Sequence, residues 1–81
     1  MINILYFGSL VDAFDRATDE LDLPPNVQDV QSLLFFLSLR GEVWARYLRN
    51  NPGLKITVNR QFAEGGTPVA DGDEIALVAL G

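Results

Sequence analysis

Asp71-Gly72-Asp73-Glu74-Ile75-Ala76-Leu77-Val78-Ala79-Leu80 is the stretch that decides the fold. Asp and Gly supply turn conformations, and Glu74 opens a strand. From Ile75 to Leu80 the chain is unbroken in apolar residues. A run of this length after a tight turn predicts a strand buried on both faces near the centre of a sheet.

Working back from that strand, Glu64-Gly65-Gly66 marks a turn. Residues 61–63 predict a short strand at a sheet edge. Leu54, Ile56 and Val58 alternate with Lys55, Thr57 and Asn59, which predicts a half-buried strand over 54–59. Asn50-Asn51-Pro52-Gly53 before it is a turn signal. Residues 42–48 read as a further helical turn or two, with Val43, Trp44, Tyr47 and Leu48 apolar; Trp44 and Tyr47 are expected in the core or beside it. The main helix precedes them. Val27, Val30, Leu33, Leu34 and Leu37 recur at spacings of three and four, and Phe35, Phe36 and Leu39 widen that face. This helix is therefore expected to be nearly surrounded, with Asn26 as N-cap, Asp29 three residues on, and Gly41 as its stop.

At the other end of the chain, residues 2–7 are β-branched and aromatic and predict the first strand. Ile2, Ile4 and Tyr6 point one way, and Asn3, Leu5 and Phe7 the other. Gly8 breaks the strand. Ser9 is positioned to cap a short helix over 10–14, with Asp12 completing a box-like pattern. Residues 18–23 alternate and predict a second strand, hairpin-paired with the first and ended by Pro24-Pro25. The order is β, short α, β, long α, then β, β, β. That is the β-grasp arrangement of ubiquitin-like proteins, an α+β fold with a mixed sheet of four to five strands packed on one main helix. Residues 1–81 are expected to form a single such domain with a short C-terminal tail.

Composition narrows the function. The chain has no Cys and no His, which excludes disulfides, thiolate chemistry, Cys/His zinc sites and imidazole catalysis. Its formal net charge is −5, from eleven acids and six bases. Nucleic acid and anionic membrane surfaces are therefore disfavoured partners. No base follows Arg60, while Glu64, Asp71, Asp73 and Glu74 do, so the C-terminal quarter suits a partner with a basic docking site. The Asp71-Gly72-Asp73-Glu74 carboxylates read as a turn rather than a metal site, since their spacing does not fit a calcium loop. No basic n-region precedes the first strand and no apolar run approaches membrane-spanning length, which leads us to expect a cytoplasmic protein.

Local sequence adds a resemblance. Ile2-Asn3-Ile4-Leu5-Tyr6-Phe7-Gly8, then Val58-Asn59-Arg60 before a short edge strand, then Pro68-Val69-Ala70-Asp71-Gly72-Asp73-Glu74-Ile75-Ala76 occur in order. Together they resemble the molybdopterin synthase small-subunit (MoaD-type) branch of the MoaD/ThiS family of ubiquitin-like sulfur carriers. The resemblance covers essentially the whole chain. That branch ends in Gly-Gly after a longer tail, whereas this sequence ends Val78-Ala79-Leu80-Gly81.

The resemblance implies a non-catalytic carrier subunit of a sulfurtransferase complex. Gly81 is the expected sulfur-carrier terminus, first an acyl-adenylate and then a thiocarboxylate. A glycine there gives the narrowest approach to a partner's active site. An E1-like adenylyltransferase is the expected activating partner, and it would use MgATP; this chain itself is expected to bind no cofactor and no metal. The large catalytic subunit of molybdopterin synthase is the second expected partner, in a heterotetramer. Sulfur would pass to cyclic pyranopterin monophosphate during molybdenum cofactor biosynthesis. The expected partner interface is Phe7, Phe62, Val78 and Leu80 on the outer sheet face, with Leu5 beside them, because contiguous exposed apolar residues mark interfaces. The tail Leu80-Gly81 is expected to be mobile until a partner orders it. A thiamine-pathway sulfur carrier and a ubiquitin-like interaction module that carries no sulfur remain the alternatives. The helical segment 42–48 favours the molybdopterin type.

Overall fold

The computed structural model describes residues 1–49 and 51–79. The expectations for Leu80 and Gly81 lie outside these residues. Strand β1 covers Ile2–Gly8, helix α1 Ser9–Phe14 and β2 Thr18–Leu21. Helices α2 (Val30–Ser38) and α3 (Glu42–Leu48) follow, then β3 (Leu54–Val58), β4 (Gln61–Phe62) and β5 (Glu74–Ala79). The sheet order is β2-β1-β5-β3-β4. β5 lies at the centre, parallel to β1 and antiparallel to β3. β1 and β2 pair as the expected antiparallel hairpin, and β4 is the expected edge strand.

Side-chain parity builds the core. Ile2, Ile4 and Tyr6 of β1 and Ile75, Leu77 and Ala79 of β5 are buried on one face. Val30, Leu33 and Leu37 of α2, Leu10 and Phe14 of α1, and Leu48 of α3 cover that face. Trp44 and Tyr47 are partly buried against this core.

Several expectations need correction. β5 is buried on one face only: Ala76 and Val78 on the other are partly exposed, because no second layer covers the outer side of the sheet. The main helix starts at Val30, and its N-cap is Asp29 rather than Asn26. Asp29 accepts from the Ser32 amide at 2.8 Å, while the Ser32 hydroxyl accepts from the Asp29 amide at 3.1 Å, a reciprocal capping box. The segment before it is held by distant partners instead. Asp29 forms an isolated bridge with Pro68, and the Val69 amide donates to the Gln28 carbonyl at 3.0 Å. Val27 is nonetheless buried.

The main helix is not surrounded. Phe35 is 53% exposed and Leu39 67% exposed, since only the sheet-facing side meets the core. α2 ends at Ser38, so Gly41 does not stop it; Gly41 is the N-cap residue of α3. Ser9 is the first residue of α1 and caps nothing; its hydroxyl donates to the Ala79 carbonyl at 3.3 Å. β2 ends at Leu21 rather than at 23, and β3 ends at Val58 because Asn59 takes a left-handed φ of 52° in the turn to β4. β4 stops at Phe62, one residue before the expected end at Ala63.

Candidate functional site: the outer sheet face and the end of β5

Registers place the outer-face residues in two rows. Phe7 on β1 pairs with Val78 on β5, and Val78 with Lys55 on β3. Leu5 pairs with Ala76, Ala76 with Thr57, and Thr57 with Phe62 on β4. Phe7 is 46% exposed and Phe62 85% exposed, while Leu5, Ala76 and Val78 are partly exposed. Adjacent strands lie about 4.8 Å apart, so the rows from β1 to β4 span about 14 Å. Phe7, Leu5, Val78 and Ala76 are therefore neighbours, while Phe62 stands at the far edge with Lys55 and Thr57 between. The face is apolar at its β1–β5 half and mixed at its β3–β4 half.

The exit of β5 is tightly defined. Gly8 pairs with Ala79 across the parallel ladder and carries φ +67°. A Cβ on Gly8 would overlap the Ala79 carbonyl oxygen. Val78, on the outer face, thus sits one residue before the end of a strand clamped between β1 and β3.

A polar network that sequence reasoning missed secures this same end of β1 on the helix-covered side. The buried Tyr6 hydroxyl donates to Asp19 at 3.2 Å, and Arg16 donates to the same carboxylate oxygen at 3.3 Å. Arg40, from the α2–α3 link, donates to it as well. Burial raises the Asp19 carboxyl, but the Arg40 hydrogen bond and charge, with Tyr6 and Arg16 added, hold it below the ordinary 3.8. Burial, and then the Asp19 charge, push the Tyr6 hydroxyl well above its ordinary range. Phe14 stacks on Trp44 at 3.8 Å, and the Arg40 guanidinium lies 4.7 Å from the Trp44 ring centre. Only the aromatic spacing was visible in sequence, because Asp19 and Arg40 are distant along the chain.

At the other end of β5, the acidic turn is engaged in holding itself. Asp73 accepts from the Ala70 amide at 2.9 Å and from the Asn59 side chain at 2.9 Å. The Asn59 side chain also accepts from the Glu74 amide at 3.0 Å. These bonds tie the β3–β4 turn to the start of β5. Among the described residues no cluster of acidic side chains has the arrangement of a metal site.

The sheet order, the parallel pairing of first and last strands and the helix across one face define a ubiquitin-like β-grasp protein. The chain belongs to the ThiS family, whose model matches residues 4–80. This is the MoaD/ThiS family of small ubiquitin-like sulfur carriers, which are generally non-catalytic. Three solved structures share the fold. Small archaeal modifier protein 1 of Haloferax volcanii is 19% identical, with a TM-score of 0.81 over 99% of this chain and 97% of that one. A putative molybdopterin converting factor subunit 1 from Pyrococcus furiosus is 16% identical, with a TM-score of 0.78 over 99% of this chain and 97% of that one. A complex of subunits 1 and 2 of the molybdopterin-converting factor from Helicobacter pylori aligns at 20% identity, with a TM-score of 0.65 over 96% of this chain and 90% of that one. No curated protein matches the chain. No helix among the described residues is long and apolar enough to cross a membrane.

Proposed function

We propose that this chain is the small, sulfur-carrying subunit of a molybdopterin synthase, with Gly81 as the carrier terminus. The observation that carries the reading is the position of the outer face relative to that residue. Val78 lies on the apolar half of the face and three residues before Gly81. A partner docked over Phe7 and Val78 is therefore within about 10 Å of chain from the terminal carboxylate. Family membership supplies the chemistry. On an E1-like adenylyltransferase, the Gly81 carboxylate attacks the α-phosphorus of MgATP and pyrophosphate leaves. A sulfur donor then displaces AMP, so that a C–S bond replaces the C–O bond of the mixed anhydride. Adenylation is needed because a free carboxylate is a poor acyl electrophile. The large subunit supplies the acid and base groups of the transfer, this chain having no imidazole or thiol. It receives the thiocarboxylate and passes sulfur to cyclic pyranopterin monophosphate.

A thiamine-pathway carrier is the second reading, favoured by the match to the ThiS family model. Helix α3 after the main helix favours the molybdopterin type. Intact-mass spectrometry separates the readings. The native-length protein is incubated with ATP, a sulfur source and either the molybdopterin-type or the thiamine-type activating enzyme. A gain of about 16 Da, oxygen replaced by sulfur on the activated acyl group, is expected with the former alone. A gain only with the latter moves the chain to the thiamine pathway. No gain with either, when each enzyme charges its own carrier, leaves the interaction-module reading.

A further inference from the structure

The helices cover one side of the sheet, and their own outward side is bare. Six large apolar side chains are exposed among the described residues, and three of them, Phe35, Leu39 and Val43, lie on the α2–α3 hairpin. Leu39, the C-cap residue of α2, continues the exposed stripe of Gln31 and Phe35 at a spacing of four. Val43, Arg46 and Arg49 follow at spacings of three along α3, and all are exposed. The Arg49 guanidinium lies 5.6 Å from the Phe35 ring centre, so the end of α3 returns to the middle of α2 and the two stripes form one surface. Beside Phe35 and Arg49 this surface opens into a groove of about 420 Å³, lined also by Leu34, Leu48 and Leu54. Contiguous exposed apolar side chains rimmed by polar ones mark an interaction site.

Charge gives the partner's sign. The chain is acidic overall, with a formal net charge of −5, yet the rim of this patch is basic. Arg16 and Arg40 are paired with Asp19, and Arg60 with Glu74. Arg46 and Arg49 have no carboxylate partner among the described residues. Glu42, one turn before Arg46, stands at the Leu39 end of the patch and leaves the Phe35 end to the two arginines. A second copy of the chain would bring the same excess of positive charge, whereas a partner with carboxylates neutralises it.

Backbone chemistry gives the partner's shape. Within α2 and α3 the backbone N–H and C=O groups bond to one another, so this surface offers side chains alone. An occupant must satisfy its own backbone, as a helix does, and two packed helices present a groove into which the ridge of a third fits.

We propose that the α2–α3 face binds an acidic amphipathic helix of a partner protein. Its apolar stripe lies over Phe35, Leu39 and Val43, and one large apolar side chain enters the groove beside Leu34. Its carboxylates meet Arg46 and Arg49. These arginines are three residues apart, which matches carboxylates at i and i+3 or i+4 of the partner helix. The face lies across the molecule from Phe7 and Val78, so the inference goes beyond the carrier reading and does not rest on it.

The test titrates the full chain with a fluorescein-labelled, stapled helical peptide about four turns long. The peptide carries leucine along one face and glutamate along its flank. One control has lysine for each glutamate, and a second keeps the composition but scrambles the leucine spacing. By NMR the acidic peptide is expected to shift the Leu34, Phe35, Leu39, Val43 and Arg46 amides and to leave Phe7 and Val78 in place. By anisotropy both controls are expected to bind at least about tenfold more weakly. Arg46→Glu/Arg49→Glu is expected to weaken the acidic peptide by about tenfold and to strengthen the lysine peptide. Leu39→Ser, which keeps both arginines, is expected to weaken the acidic peptide as well. All three side chains are exposed, so both variants should retain the dispersed NMR spectrum of the native fold. Absence of binding, equal binding of either control, shifts confined to the outer sheet face, or indifference to the arginine reversal would overturn the proposal. So would sedimentation with phosphatidylglycerol vesicles in place of peptide binding, which assigns the face to a lipid surface. Concentration-dependent shifts at Leu39 without peptide would overturn it in favour of a second copy of the chain.

Discussion

Gly8 holds a left-handed φ of +67° where β1 passes into α1, against the backbone of Ala79. An L side chain at such a φ costs about 1–2 kcal/mol, before the overlap with a carbonyl fixed in the central strand. Gly8→Ala is therefore expected to destabilise the protein by more than about 2 kcal/mol in urea unfolding. A variant of native stability would show that β1 and β5 separate easily at this point. Asp19 is the other residue on which much depends, as it accepts from Tyr6, Arg16 and Arg40. Asp19→Ala leaves a buried phenol without its acceptor and should cost about 2 kcal/mol. Tyr6→Phe combined with Asp19→Ala should cost less than the sum of the single changes, which a double-mutant cycle measures. Neither role was legible in the sequence. Gly8 reads there as a simple strand breaker, and Asp19 as one polar residue of an alternating strand.

At the scale of elements, the start of α2 is the informative case. Its cap is the Asp29–Ser32 box, and Asn26 lies outside it. Asp29→Ala should lower Tm by about 5 °C, while Asn26→Ala should leave it within error. The reverse result would place the helix start earlier. The pH dependence follows from the same bonds. Hydrogen bonds from Ser32 hold the Asp29 carboxyl below its ordinary 3.8, as the Arg40 bond and its neighbours outweigh burial at Asp19. A carboxyl lowered in the folded state contributes stability that is fully present above its unfolded value. That contribution is lost as pH falls from 3.8 through the folded value. Unfolding free energy should therefore decline below that point, and the decline should shrink in Asp29→Ala. Element order, strand pairing of the first hairpin, the edge position of β4 and the central position of β5 were all readable from local pattern. The cap was not, because the Gln28 carbonyl accepts from the Val69 amide and the Val30 amide donates to the Thr67 carbonyl, partners some forty positions away in sequence.

Taken as a whole, the molecule presents a sheet with one face covered by helices and the other bare. The bare face carries Phe7 and Phe62, which the register sets on strands at opposite sides of β5 and β3. Phe62→Ala should leave stability within about 0.5 kcal/mol, as expected for so exposed a side chain. Phe7→Ala should weaken the complex with a molybdopterin synthase large subunit by about 2 kcal/mol in calorimetric titration, the scale of an aromatic anchor. Full-strength binding by the Phe7→Ala/Phe62→Ala double variant would remove the outer face from the interface. Lys55 stands between the two aromatic positions, so the partner surface is expected to be apolar over β1–β5 and to carry an acceptor opposite β3.

Sequence alone determined which side chains share a face along each strand, because parity along a strand is local and strict. Ile2, Ile4 and Tyr6 lie on one face of β1 for that reason, and the tertiary structure makes it the core face, as it does that of Ile75 and Leu77 on β5. Sequence also determined the chemistry this chain lacks, since a missing His or Cys is missing in any fold. Tertiary structure alone decided which apolar faces find cover. Ala76 and Val78 look as apolar as their neighbours, and Phe35 and Leu39 continue the helix stripe, yet all four lie where no layer packs against them. Burial depends on what the rest of the chain brings near, and a pattern of hydrophobic residues records only what is available to be covered.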